Sequence, residues 1–197
     1  MKATFALLGN AEVHNLVRKL AWDIHQRYQT GTRHASLPPH ISLKQPFAIR
    51  DLSALEEYMG ELARSIDPFE VRLIELQVRP LVFGRTEYGL LWLDVQETEE
   101  LRGLHNRINA ELAERFGNTQ ADFDASGYHF HMTVMMGGQS LDTYLEFFNE
   151  IPDPRIDLRY TVRELAMFVY DGPMGPDGEY LSYKILPIGR LFEQAST

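Results

Sequence analysis

The sequence predicts an α+β fold in which one order of elements occurs twice around a central cleft. Strand patterns with a period of two alternate along the chain with helix patterns whose apolar residues recur every three or four positions. No long linker, low-complexity tract or block of like charge divides the 197 residues, a length that suffices for one large domain or two small lobes. The order strand, long helix, His-containing strand, helix, strand occurs in residues 1–88 and again in 89–197. We therefore expect a single domain, residues 1–197, with a pseudo-twofold internal duplication.

The first half of the chain begins with a strand pattern and a long helix pattern. Apolar residues recur at helical spacing between Val13 and Tyr28. The start of the second helix is predicted at Asp51 or at the capping box formed by Ser53 and Glu56. The predicted elements are, in order, a strand at 2–8, a helix at 11–29, a strand at 40–47, a helix at 52–66, a strand at 68–78 and a short apolar piece at 81–83.

The second half repeats this order and adds a closing strand. Leu101, Leu104 and Ile108 form one stripe of its long helix. The segment from Asp171 to Gly178 is rich in Gly and Pro and predicts a loop, because neither a strand nor a helix tolerates such a run. The predicted elements are a strand at 90–95, a helix at 98–116, a strand at 129–136, a helix at 141–150, a strand at 157–169 and a strand at 180–188.

Two of the predicted strands carry a histidine two residues before a hydroxyl residue. Because successive strand side chains point to opposite faces, His40 and Ser42 project together, as do His131 and Thr133. Paired imidazoles with adjacent hydroxyls can perform general acid–base attack on a phosphate ester. His34 also precedes a serine by two positions, but it lies in a polar stretch that predicts a loop, so we interpret that third pair as coincidental.

The amino-acid composition limits the cellular compartment and the binding partners that we expect for this protein. The absence of Cys excludes disulfides, thiolate metal sites and a Cys nucleophile and favours a reducing cytoplasm. No apolar run approaches the length of a membrane span, and the apolar stretch near the N-terminus predicts a strand rather than a signal peptide. The net charge of −9 argues against a protein that coats long nucleic acid, because phosphate neutralisation needs a basic surface. We expect a cytoplasmic monomer that contacts neither membranes nor long nucleic acids.

With these motifs the chain resembles the 2H, or two-histidine, phosphoesterase superfamily, which contains the 2′-5′ RNA ligase-like proteins and cyclic phosphodiesterases. The family pattern is two His-x-Ser/Thr motifs with hydrophobic flanks, which here are His40-Ile41-Ser42-Leu43 and His131-Met132-Thr133-Val134. The continuation Lys44-Gln45-Pro46-Phe47 is similar to an extended form found in some bacterial members. The segments 164–169 and 178–181 resemble the closing hairpin of the family. The resemblance covers almost the whole chain.

The resemblance implies a bilobal fold with two antiparallel sheets, flanking helices and a water-filled cleft. It also implies hydrolysis of 2′,3′-cyclic phosphates or related ribose phosphodiesters, on a small nucleotide or an RNA end, without metal or other cofactor. In this interpretation His40 and His131 exchange protons with the attacking and leaving oxygens, as imidazoles do near neutral pH. Ser42 and Thr133 donate hydrogen bonds to the non-bridging oxygens, where negative charge grows. The sequence leaves open which His is the base.

Several further side chains are candidates for substrate contacts, among them His129, which shares the strand face of His131. Lys44 is predicted to share the face of His40 and could pair with phosphate. Phe47, Tyr128 and Tyr170 could stack a nucleobase, although packing in the core is the commoner role for each of them. Tyr170 stands where many members of the similar family have serine, which leaves substrate contacts at that position open.

Two alternative functions remain open at the level of sequence. His129 shares the strand face of His131, so these two with His40 could bind zinc in a zinc-dependent hydrolase. The chain could instead be a nucleotide- or phosphate-binding module without turnover. Activity in the presence of a chelator distinguishes the first alternative, and turnover itself distinguishes the second.

Overall fold

A computed structural model describes residues 1–31, 33–121, 124, 127–171 and 179–189, which form four α-helices and nine strands. Most of the loop predicted between Asp171 and Gly178 lies outside the described residues. Within the described ranges, none of the helices is long and apolar enough to cross a membrane. The elements are β1 (Lys2–Leu8), α1 (Ala11–Tyr28), a 3₁₀ helix (Arg33–Ser36), β2 (His40–Ser42), β3 (Phe47–Ala48), α2 (Leu52–Ser65), β4 (Phe69–Phe83), β5 (Thr86–Val95), α3 (Glu99–Phe116), β6 (His131–Met136), α4 (Leu141–Asn149), β7 (Arg155–Val162), β8 (Glu164–Asp171) and β9 (Glu179–Pro187).

The predicted α+β class is confirmed, but the strands form one antiparallel sheet rather than two separate ones. The strand order is β7-β4-β5-β6-β2-β1-β8-β9, and β3 pairs with β1 beside this path. At the centre, β2 and β6 meet at the pair Ile41 and Met132. This short ladder joins a half-sheet of β7, β4, β5 and β6 to a half-sheet of β2, β1, β8 and β9. A single connected sheet results because backbone hydrogen bonds continue across the junction.

Each half-sheet takes strands from both halves of the chain. Strand β4 comes from residues 1–88 but lies beside β5. Strand β8 comes from residues 89–197 but lies beside β1, and β9 pairs with β8 at the edge. The strand order alone does not test whether the two halves of the sequence arose by duplication, so the internal duplication stays a prediction.

Three predicted strands have different limits in the structure. The strand predicted at 40–47 breaks after Ser42, where the backbone bends, and the apolar piece at 81–83 is the end of the long strand β4. The strand predicted at 157–169 is two strands, β7 and β8, at opposite sides of the sheet. Arg163 and Glu164, which lie between the last buried residue of β7 and the first buried residue of β8, are both exposed. Two successive outward residues shift the alternation by one, and the chain leaves one pairing partner for another.

The helices pack on one face of the sheet and leave the other face largely open. Buried residues of all four helices and the inward residues of the strands form one core cluster. Asp51 is the N-cap of α2, since its carboxylate accepts a hydrogen bond from the backbone N–H of Ala54 at 3.0 Å. On the opposite face a small apolar cluster contains Ala6, Leu8, Ala166 and Phe168. The open face is therefore the place where polar side chains of the strands can meet a ligand.

Candidate active site

The two His motifs lie side by side on the open face, at the junction of the two half-sheets. Ile41 and Met132 are directly paired and fully buried against the helices. Because strand side chains alternate, the residues that flank this pair face the other way, and all of them are half-buried. These residues are His40 and Ser42 on β2 and His131 and Thr133 on β6.

The antiparallel register determines which of the four side chains are neighbours. Counting outward from the central pair, His40 lies across from Thr133 and Ser42 lies across from His131. The two histidines are therefore diagonal neighbours, a relation that separates Cα atoms by roughly 7–8 Å in a sheet. Each imidazole thus has one hydroxyl beside it on its own strand and another across the ladder. A phosphate group placed over this square can contact both imidazoles and both hydroxyls.

Both imidazoles are held in the same tautomer by equivalent backbone contacts. His40 Nδ1 lies 2.8 Å from the carbonyl oxygen of Pro38, and His131 Nδ1 lies 3.0 Å from the carbonyl oxygen of His129. A carbonyl oxygen only accepts, so each Nδ1 carries a proton and donates it. In the neutral ring, Nε2 then keeps its lone pair. Both histidines therefore present Nε2 as the atom that can take or, when protonated, give a proton.

The surroundings of the two histidines lower the pKa of each. Burial lowers the pKa of His40 from 6.5 to about 4; the bond to Pro38 opposes this, and the charges of His131 and Arg18 add to it. Burial also lowers the pKa of His131, against the bond to the His129 carbonyl; the charge of His129 lowers it further and that of Asp94 raises it. His40 is therefore neutral across the physiological pH range and suited to accept a proton.

Each of the two histidines also contacts an aromatic ring, and neither ring belongs to the His motifs. The indole of Trp92 stacks on the His131 imidazole with 4.3 Å between ring centroids, and Phe168 meets the His40 ring edge-on at 4.7 Å. Alternation in the strand predicted at 90–95 already places Trp92 and Asp94 on one face. Only the pairing of β5 with β6, however, brings that face beside His131.

His129 lies beside His131, as its position on the strand predicts, and is exposed. Its Nε2 donates to the carboxylate of Asp94 at 2.6 Å, and its ring stacks on Trp92 at 5.2 Å. No group of three or more His, Cys, Asp or Glu side chains within the described ranges is arranged to hold a metal ion. The Nε2 atom of His129, which a zinc ion could bind, donates instead to the carboxylate of Asp94.

The prediction that Lys44 shares the face of His40 and reaches phosphate is wrong. The side chain is fully buried and forms an ion pair with Asp124. The reason is the bend that follows Ser42, which ends the alternation on which the prediction depended. Asp124 also accepts hydrogen bonds from the backbone N–H groups of Gln45 and Ala121, each at 3.0 Å. The ion pair therefore ties the turn after β2 to the segment that leads into β6.

The expected base-stacking roles of Phe47, Tyr128 and Tyr170 are also contradicted, because all three side chains are buried. Phe47 packs under the Lys44 ammonium group, 5.4 Å from its ring centroid. The hydroxyl of Tyr128 donates to the backbone carbonyl of Ser42 at 2.7 Å and so supports the strand that carries the first motif. Tyr170 packs against the ring of Tyr180 at 4.6 Å. For these three residues the core-packing alternative is the correct one.

The third His-x-Ser pair is not on a strand. The backbone of His34 belongs to the 3₁₀ helix Arg33–Ser36, which precedes β2. The i and i+2 positions of such a helix do not share a face as they do in a strand. This pair therefore differs in backbone structure from the two strand motifs, in agreement with its interpretation as coincidental.

Comparison with known sequences connects the chain with one family. The sequence model of the 2′-5′ RNA ligase superfamily matches residues 11–173. A protein of Staphylococcus haemolyticus with a provisional phosphoesterase name is 25% identical over 150 residues, which cover 74% of this chain and 79% of the relative. A Staphylococcus aureus protein with the same kind of name is 22% identical over 153 residues, with the same coverage of each chain.

Solved structures share the fold at lower sequence identity. The protein TT0787 of Thermus thermophilus superposes with a TM-score of 0.66 at 17% identity, covering 96% of this chain and 98% of that one. Escherichia coli LigT in complex with 3′-AMP gives a TM-score of 0.55 at 19% identity, covering 95% of this chain and 98% of that one. The architecture is therefore common to these proteins along nearly their whole length.

Proposed function

The chain belongs to the 2′-5′ RNA ligase superfamily, and from this premise we propose that it is a phosphodiesterase that hydrolyses 2′,3′-cyclic phosphates or related ribose phosphodiesters by two-His acid–base catalysis. The observation that carries the proposal is the square of His40, Ser42, His131 and Thr133 on the open face. An imidazole pair with the same free nitrogen on each ring supplies both proton transfers that the reaction needs.

In the proposed reaction His40 is the general base and His131 the general acid. A water oxygen attacks phosphorus while His40 Nε2 takes the water proton. The bond from phosphorus to the 2′ or 3′ oxygen breaks, and His131 Nε2–H protonates that oxygen. The products are a phosphomonoester and a free hydroxyl group. The pKa of His40, which burial lowers to about 4, supports its role as the base, since a base must be unprotonated at the start.

Ser42 and Thr133 are proposed to stabilise the negative charge that develops on the non-bridging phosphoryl oxygens. Their hydroxyls flank the imidazoles from the neighbouring strand, so each can donate to a non-bridging oxygen of a phosphate held between the rings. Such donors are most effective where water is excluded, and half-burial of all four side chains favours this.

The proposed substrate is a small nucleotide or an RNA end. LigT, which shares the fold, has been crystallised with 3′-AMP, ATP and NADP⁺. The net charge of −9 disfavours extended contact with a polyanion but leaves room for a local site. The monomeric state and the cytoplasmic location stay predictions.

The direct test is turnover of 2′,3′-cyclic mononucleotides and short 2′-5′-linked RNAs by the purified protein, with and without a chelator. We expect activity that survives the chelator. His40→Ala and His131→Ala should each lower the rate by about 10²–10⁴-fold, the usual contribution of one positioned proton-transfer group. His34→Ala, in the third His-x-Ser pair, is the matched control and should behave as wild type.

Three outcomes would contradict the proposal in different ways. Tight binding of nucleotides without turnover would make the protein a binding module. Loss of activity on chelation, restored by zinc, would support the metal-dependent alternative at His129 and His131. Equal losses for His34→Ala and His131→Ala, with both variants folded, would place the second catalytic residue elsewhere.

A further inference from the structure

A second polar cluster lies on the open face beside the His pair, along strand β4. Gln77 Nε2 donates to Glu75 Oε1 at 2.6 Å, and Arg79 Nη2 donates to Gln77 Oε1 at 2.6 Å. The indole N–H of Trp92 points at the same Gln77 oxygen, at 3.4 Å. The guanidinium carbon of Arg79 lies 5.6 Å from the Trp92 ring centroid. Arg79 is thus held in one orientation by an amide and an indole, although its side chain is exposed.

The cluster connects directly to the proposed acid His131. Gln77, Trp92 and Thr133 are successive cross-strand partners on β4, β5 and β6, so their side chains share one face. The His131 ring lies 4.3 Å from the Trp92 ring, on which Arg79 also rests. These two contacts together place the guanidinium within about 10 Å of the His131 imidazole. A substrate bound at the His pair can therefore reach Arg79 with a neighbouring group.

The charge of Arg79 lacks a carboxylate partner within the part of the chain that the structure describes. Arg72 on the same strand, by contrast, forms an ion pair with Asp157 at 2.5 Å. The nearby carboxylates of Glu75 and Asp94 are engaged with Gln77 and His129. In a protein of net charge −9, an ordered arginine without an acidic partner beside a reactive site is a candidate for binding an anion.

We propose that Arg79 binds a second phosphate of the substrate, so that the preferred substrate carries one phosphate at the His pair and another on the same nucleotide. This inference rests on the proposed function, which places the reacting phosphodiester between His40 and His131. A planar guanidinium with free N–H groups matches phosphate oxygens in a fork geometry. A nucleobase is the less suitable occupant, because the Trp92 indole is already in contact with Arg79, His129 and His131.

The test compares two ligands that differ only in the second phosphate, uridine 3′-monophosphate and uridine 3′,5′-bisphosphate. Isothermal titration calorimetry with the full chain should give tighter binding of the bisphosphate, by about tenfold or more, as expected for one charge-assisted contact. Arg79→Gln should abolish this preference and leave the monophosphate affinity within about twofold. Arg79→Lys should retain part of it, since the charge remains without the fork. Arg72→Gln, on the same strand, is the matched control and should keep the full preference.

Turnover of the 2′,3′-cyclic forms of these ligands tests this inference independently of the proposed function. The 2′,3′-cyclic forms with and without a 5′-phosphate should differ in kcat/KM for wild type, and this difference should vanish in Arg79→Gln. Equal binding of both uridine ligands by wild type, or an equal loss for both in Arg79→Gln, would overturn the second-phosphate site. Absence of turnover with both cyclic forms, with the bisphosphate preference intact, would overturn the proposed function and leave the Arg79 site standing.

Discussion

The buried ion pair of Lys44 and Asp124 gives the sharpest prediction about what holds the site together. Asp124→Asn leaves a fully buried ammonium group without its counter-ion. Removal of one partner of such a pair costs about 3–5 kcal/mol. The backbone N–H groups of Gln45 and Ala121 each donate to a different oxygen of Asp124, and because asparagine keeps only one oxygen, one of them also loses its acceptor. We therefore expect Asp124→Asn to lower the free energy of unfolding by at least about 3 kcal/mol, against a typical total of about 5–15 kcal/mol.

Lys44→Met should be milder, because the carboxylate that remains still accepts from Gln45 and Ala121. We expect a loss of about 1–3 kcal/mol, the cost of an incompletely satisfied buried group. The two substitutions act on one contact, so the double variant should lose less than the sum of the single losses.

The assay is urea denaturation followed by tryptophan fluorescence, with equal m-values as the check that only stability has changed. Glu150→Gln, which removes an exposed ion pair with Arg27, is the control and should cost at most about 1 kcal/mol. A wild-type unfolding curve for Lys44→Met together with a raised KM would refute the reasoning, because it would mean that Lys44 contacts substrate. Additive losses in the double variant would equally refute the pairing as the source of the effect.

Three further predictions concern the chemistry. The kcat/KM profile should be bell-shaped: it rises with pH as His40 loses its proton near 4, and it falls at higher pH as His131, whose pKa burial lowers, loses its proton. Asp94→Asn removes a charge that raises the pKa of His131, so the alkaline limb should move to lower pH; an unchanged limb would exclude this electrostatic coupling. Ser42→Ala and Thr133→Val should each cost about 1.5–3 kcal/mol in kcat/KM, the value of one hydrogen bond to a charged group, and a loss as large as that of His131→Ala would assign the hydroxyls a role in proton transfer.

The residues whose positions were predicted wrongly show that the alternation of a strand no longer applies once the strand ends. Lys44 was predicted to continue the face of His40, but the bend after Ser42 turns it into the interior. Tyr128 precedes β6 and donates to the backbone of Ser42, so it supports the site from within the protein. Period two holds only inside a continuous ladder, and the sequence does not mark where hydrogen bonding to a neighbour stops.

The sequence by itself determined the α+β class, the order of most elements and the face that each His shares with its hydroxyl residue. These properties follow from periodicity, which is a local consequence of backbone geometry. Only the tertiary structure decided that β2 lies beside β6, that Trp92 stacks on His131 and that Asp124 neutralises Lys44. These contacts join positions far apart along the chain, and packing of the whole core against the sheet selects them. No local pattern encodes such a partner, so the pairing of strands is what turns two separate motifs into one site.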